Sequence, residues 1–104
     1  MAKAANHKVK NPDLGEISEM FKAIAYPGRL EIMELFCNCG CERMSVKNVY
    51  EKLKIEQPVA SKHLGILKRS GLMTREKEKN YTYFRLNMDN PIAKCLVDCF
   101  RKKS

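Results

Sequence analysis

Gln57, Ser61 and Lys62 are spaced so that a helix would carry all three on one polar face, and their chemistry is that of hydrogen bonding to base edges. A Gln amide matches adenine, a Ser hydroxyl matches several base edges, and a Lys ammonium reaches guanine acceptors. Gly65 on the same face has no side chain and would let the helix sit close to a groove wall. Lys68 and Arg69 lie farther along, better placed for phosphates, which set register rather than sequence. A merely solvated surface helix has a similar polar face. What separates the two readings is what flanks the segment.

The second chemistry is sulfur. Cys37, Cys39 and Cys41 put three thiols within five residues, and Cys95 and Cys99 stand four apart. Thiolates so spaced could ligate arsenite, cadmium or zinc, and if the last helix packs near the end of the second, both groups could serve one ion. A pair could instead close a disulfide or persulfide bridge on oxidation. Packing is the third alternative, since Cys37, Cys95 and Cys99 continue apolar stripes on which cysteine behaves as a small hydrophobe. Five cysteines, an odd number, argue against a closed disulfide framework and for reduced thiols.

Five helices and one hairpin must position these groups. Pro12-Asp13 opens a first helix with Leu14, Ile17, Met20, Phe21 and Ile24 at helical spacing. Tyr26-Pro27-Gly28 breaks it, and a second helix from about Arg29 is apolar enough for the centre of a fold. Cys37 to Cys41 reads as a loop. Ser45 is an N-cap for a third helix with Val46, Val49, Tyr50 and Leu53 on one face. A fourth begins at Gln57 or Pro58 and stops at Gly71, its packed half formed by Val59, Ala60, His63, Leu64, Ile66 and Leu67. His63 therefore divides between a packed imidazole and a phosphate contact. Strands at about 72–77 and 81–86 follow, joined across Glu78-Lys79-Asn80, with Arg75, Lys77 and Lys79 around the tip as phosphate or minor-groove contacts. Asn90-Pro91 starts a last helix with an apolar stripe of Ile92, Cys95, Leu96, Cys99 and Phe100. The expectation is a mostly α chain with a small β-hairpin, in the order α-α-α-α-β-β-α, a winged helix-turn-helix.

Composition agrees. The chain has 104 residues, enough for one modest core, and a formal net charge of +8, which favours a polyanionic partner. No apolar run approaches the roughly 20 residues that cross a bilayer. The expected location is the cytoplasm. Residues 1–11, with Lys3, Lys8 and Lys10, read as a basic flexible arm, and 12–104 as the DNA-binding domain. No nucleophile-base set, glycine-rich phosphate loop or paired-carboxylate motif marks an enzyme.

From about Ile17 to Leu86, roughly two thirds of the chain, the sequence resembles the ArsR/SmtB-type family of bacterial repressors. The resemblance rests on Phe21 through Ile32, on Gln57-Pro58 through Leu64, on Leu67 through Leu72, and on Tyr83-Phe84-Arg85-Leu86. Tyr26 and Gly28 stand where the opening motif more usually has Asp and Thr. The resemblance implies a homodimer formed by the first and last helices, binding an inverted-repeat operator and released by an inducer. The family's usual thiolate site falls on Ser45 and Lys47, and its last-helix site finds Asp98 but no histidine, so both look empty. No cofactor is expected; a soft metal or metalloid ion is a candidate inducer, the thiols Cys37, Cys39, Cys41, Cys95 and Cys99 its candidate sensor. A winged helix used for protein or RNA interaction, or a repressor without thiol sensing, remains the alternative.

Overall fold

The computed structural model describes residues 11–102, so most of the predicted basic arm lies outside the described residues. Helix α1 (Leu14–Ile24) opens on a reciprocal cap. The Asp13 carboxylate accepts from the Glu16 N–H at 2.8 Å, and the Glu16 carboxylate accepts from the Asp13 N–H at 3.0 Å. Its inner face buries Met20, Ala23 and Ile24, while Leu14 (84% exposed) and Phe21 (53%) remain outside. Tyr26 caps α2 (Pro27–Asn38), with Pro27 in the first turn, where its missing N–H costs nothing. This helix starts two residues earlier than expected. It buries Ile32, Met33, Phe36 and Cys37 and packs on α1, α4, the hairpin and α5, so it is the centre of the fold.

Ser45 caps α3 (Val46–Leu53) by accepting from the Asn48 N–H at 3.1 Å. Lys54, at φ +57°, turns the chain out of α3 into α4 (Gln57–Arg69). Gly71, at φ +89°, closes α4: its N–H donates to the Lys68 carbonyl, and the Leu72 N–H reaches back to Leu67, both at 3.1 Å. That left-handed backbone is why glycine stands there.

One element escaped the sequence reading. Met44–Ser45 forms a short strand β1 that pairs antiparallel with β3 (Tyr81–Leu86), whose other neighbour is β2 (Met73–Glu78), giving a three-stranded sheet in the order β1-β3-β2. Two residues carry no detectable period, so only the pairing reveals them. The hairpin register sets Arg75 opposite Phe84 and Glu76 opposite Tyr83.

Helix α5 (Pro91–Lys102) is started by Asn90, which is fully buried. Its side-chain oxygen accepts from the Ile92 and Ala93 N–H groups, and its amide donates to the Gly71 carbonyl at 2.9 Å. Asn87 donates to the same carbonyl, also at 2.9 Å. The seated face of α5 differs from expectation. Ala93 and Val97 are buried, Ile92, Leu96 and Phe100 are half-buried, and Cys95 and Cys99 are exposed. Helix α5 packs on α2, and its buried residues, Ala93 and Val97, are ones the apolar stripe left out.

Candidate nucleic-acid interface

Helix α4 is held from behind by Ala60, Leu64 and Leu67, all fully buried. That seating turns Gln57, Pro58, Ser61, Lys62, Lys68 and Arg69 to the outside. Val59 joins them at 41% exposure, although its position in the helix period had placed it on the packed half. It sits in the first turn, beyond the edge of the core, and its methyl groups suit a thymine methyl. Sequence periodicity alone carries no signal for that exposure.

His63 lies half-buried on the flank of α4, against the first turn of α2. A Cβ placed on Gly28 would stand 3.1 Å from His63 Nε2, so a side chain at position 28 would press on the imidazole. Desolvation, followed by the nearby Arg29 and Lys62 charges, pushes the His63 pKa below its ordinary value. His63 is therefore mainly neutral at neutral pH.

The wing sorts its charges by pleat. Arg43, just before β1, holds Glu76 at 2.7 Å and Glu78 at 2.6 Å and stacks 3.9 Å over the Tyr83 ring. Arg85 takes the other Glu76 oxygen at 2.6 Å. The Arg43 hydrogen bond, reinforced by the Arg85 charge, holds the Glu76 carboxyl below the usual carboxylate range. Arg75 and Lys77 alternate to the opposite face, exposed, and Lys79 sits at the turn with φ +58°. A surface groove lined by Lys68, Arg69, Thr74 and Arg75 joins the end of α4 to the base of the wing. The structure thus brings Lys68 and Arg69 of α4 beside Arg75 of β2, while both acids of β2 are ion-paired on the other face of the strand. The role of Arg43 was invisible in sequence, because its partners are 33 and 35 residues away.

The cysteines do not converge. Cys39 and Cys41 are joined in a disulfide across Gly40, whose φ of +71° turns the chain back on itself. With the bridge closed, Cys39 and Cys41 offer no free thiolate, so the three thiols from Cys37 to Cys41 are available together only in the reduced chain; the odd count forbids a fully paired framework but not one local bridge. Cys37 is buried, and that burial pushes its thiol pKa up. Helices α2 and α5 do pack together, yet Cys95 and Cys99 are on the exposed side of α5. Among the described residues no group of three or more His, Cys, Asp or Glu is placed to hold a metal ion.

Helix, helix, basic hairpin and a flanking last helix define the winged helix-turn-helix class of regulator. Residues 26–75 match the family described as bacterial regulatory protein, arsR family. The arsenical resistance operon repressor of Bacillus subtilis (strain 168) is 32% identical over 99 residues, covering 92% of each chain. HlyU from Vibrio cholerae N16961 shares the fold with a TM-score of 0.71 at 24% identity, over 85% of this chain and 90% of that one. A homodimeric winged helix-turn-helix DNA-binding domain from Mycobacterium bovis does so at 0.70 and 23% identity, over 97% of this chain and 87% of that one. The chain belongs to the ArsR family of transcriptional repressors, which are DNA-binding regulators and not enzymes. No helix among the described residues is long and apolar enough to cross a membrane.

Proposed function

We propose that this protein is a cytoplasmic, homodimeric repressor that binds an inverted-repeat operator and is released by a thiol-directed signal. The observation that carries the DNA reading is the exposed polar and cationic face of α4, whose Lys68 and Arg69 share a groove with Arg75 of β2. Gln57, Ser61 and Lys62 read base edges, Lys68, Arg69, Arg75, Lys77 and Lys79 hold phosphates, and His63 supports the helix flank. The exposed Leu14 and Phe21 of α1 and the half-buried Ile92 and Leu96 of α5 support a dimer through those two helices, because so small a domain gains by covering them. The homodimeric Mycobacterium bovis domain supports the same assembly.

Two arrangements of sulfur support the release step. Disulfides in a reducing compartment are mostly transient and sensory, so the Cys39–Cys41 bridge reads as the oxidised state of a switch. Cys95 and Cys99 lie on the helix face proposed for the dimer, where modification would act on assembly. The Bacillus subtilis relative is an arsenical resistance operon repressor by name, and an arsenical acting as inducer on this chain would have to draw on the same thiols.

The test is an anisotropy titration of wild-type protein and variants on DNA from upstream of its own gene and on random DNA. Ser61→Ala and Lys62→Ala should each lose ~1–3 kcal/mol of discrimination per base contact. Lys77→Ala and Lys79→Ala should weaken both DNAs alike and flatten the salt dependence. Equal behaviour of the two sets would refute the assigned roles. Reduced, oxidised and methylthiolated protein should then differ in affinity; if they do not, the thiol signal is wrong.

A further inference from the structure

Arg29 is charged, 6% exposed and without a carboxylate partner among the described residues. Its Nε is buried with no hydrogen-bond partner, and its guanidinium lies 4.1 Å over the Tyr26 ring. Arginine cannot escape burial by losing its proton, so such a site needs a counter-charge. Arg29 lines an open cavity of about 610 Å³ between the end of α1, the first turn of α2 and the second half of α4. Lys22 and Arg69 also line it, against a single acid, Glu19, which pairs with Lys22 at 3.5 Å. The first turn of α2 borders the cavity through Tyr26 and Arg29 and has neither a side-chain cap nor an acidic residue, so the positive end of that helix dipole is unopposed by its own residues.

We infer that this cavity is an oxyanion seat for a phosphate-type group, with Arg29 as its buried anchor, Tyr26 as the plate that fixes the guanidinium, and Lys22 and Arg69 as its outer cations. A planar fork of donors with nothing to bind matches a group offering several charged oxygens. Two sources supply that chemistry: a backbone phosphate of DNA lying along the shoulder of α4, or a free phosphate-bearing solute. Only the first rests on the proposed function.

The experiment follows the Arg29 Nε–Hε and Tyr26 ring signals by NMR in the full chain. Inorganic phosphate is titrated against chloride at matched ionic strength, without DNA and then with saturating DNA. The expected result is a saturable phosphate shift at both residues, weakened about tenfold or more in Lys22→Gln/Arg69→Gln, whose altered positions are solvent-exposed. If DNA itself shifts the signals and abolishes the phosphate response, the seat takes a DNA phosphate; if the response survives DNA, it takes a free anion. A response with no DNA binding at all leaves the seat standing and overturns the proposed function instead. Signals that answer neither phosphate nor DNA beyond chloride, or a double variant that responds like wild type, overturn the inference.

Discussion

Replacing Asn90 with alanine removes the one side chain that starts α5 and also anchors it to the end of α4. Two N–H groups of the first turn of α5 lose their acceptor, and the Gly71 carbonyl loses one of its two amide donors. Loss of an N-cap costs about 1 kcal/mol and loss of the buried amide bond about another, so Asn90→Ala should cost roughly 2 kcal/mol. For a domain of this size that lowers Tm by on the order of 10 °C. The cost stays moderate because Asn87 continues to satisfy the Gly71 carbonyl. Asn90→Asp refines the test. It keeps both cap bonds but turns an oxygen toward the Gly71 carbonyl and Met20 Sδ, where Asn90 presents its amide. A proton would restore the donor, so the folded state raises the pKa of that carboxyl above its unfolded value. The folded state then binds more protons, and the deficit of Asn90→Asp relative to wild type should shrink as pH falls. The assay is urea denaturation followed by far-UV circular dichroism at fixed protein concentration, because a dimer links stability to concentration. An Asn90→Ala cost below about 0.5 kcal/mol, less than a typical cap supplies, would refute the reasoning. So would an Asn90→Asp deficit that is flat with pH.

Three further outcomes follow from the same geometry. The His63 pKa is lowered in the fold, so the unfolded chain binds the proton more readily and stability falls as pH drops through about 6.5; His63→Gln should lose less between pH ~7.5 and ~5.5 than wild type, measured by denaturation midpoint. Arg43→Ala frees Glu78 and leaves Glu76 to Arg85 alone, so amide exchange should accelerate across β2 and β3 while α2 and α4 keep their protection, and uniform acceleration would contradict a local clamp. Thiol titration of the oxidised, denatured protein should find three free thiols per chain, and five after reduction; five before reduction would remove the bridge from the account.

The chain disclosed α1, α3, α4 and α5 because each has both a period and a punctuation mark: Asp13, Ser45, Pro58, Gly71 and Asn90 all stand where their chemistry placed them. The polar face of α4 was legible for the same reason, since Ala60, Leu64 and Leu67 fix its rotation. What stayed hidden depends on partners distant in sequence. Strand β1 exists only through β3, Arg43 acts only through Glu76 and Glu78, and the buried charge of Arg29 depends on how α1, α2 and α4 meet. The exposure of Cys95 and Cys99 was not legible, because a one-dimensional stripe cannot say which edge of it a neighbour will cover. Helix α2 selected Ala93 and Val97.

The alternation along β2 gives the wing a parity. Even-numbered Glu76 and Glu78 face Arg43 and Arg85, while odd-numbered Arg75 and Lys77 follow Met73 toward the side of α4. Deleting Thr74, or inserting one uncharged residue beside it, would exchange the two sets without altering the net charge of the strand. The acids would then border Lys68 and Arg69, and the bases would meet the guanidinium groups that now hold acids. The polarity of this surface is thus stored as an odd-or-even count. Within β2, a substitution alters that polarity one charge at a time, whereas a shift in reading position reverses all of it at once.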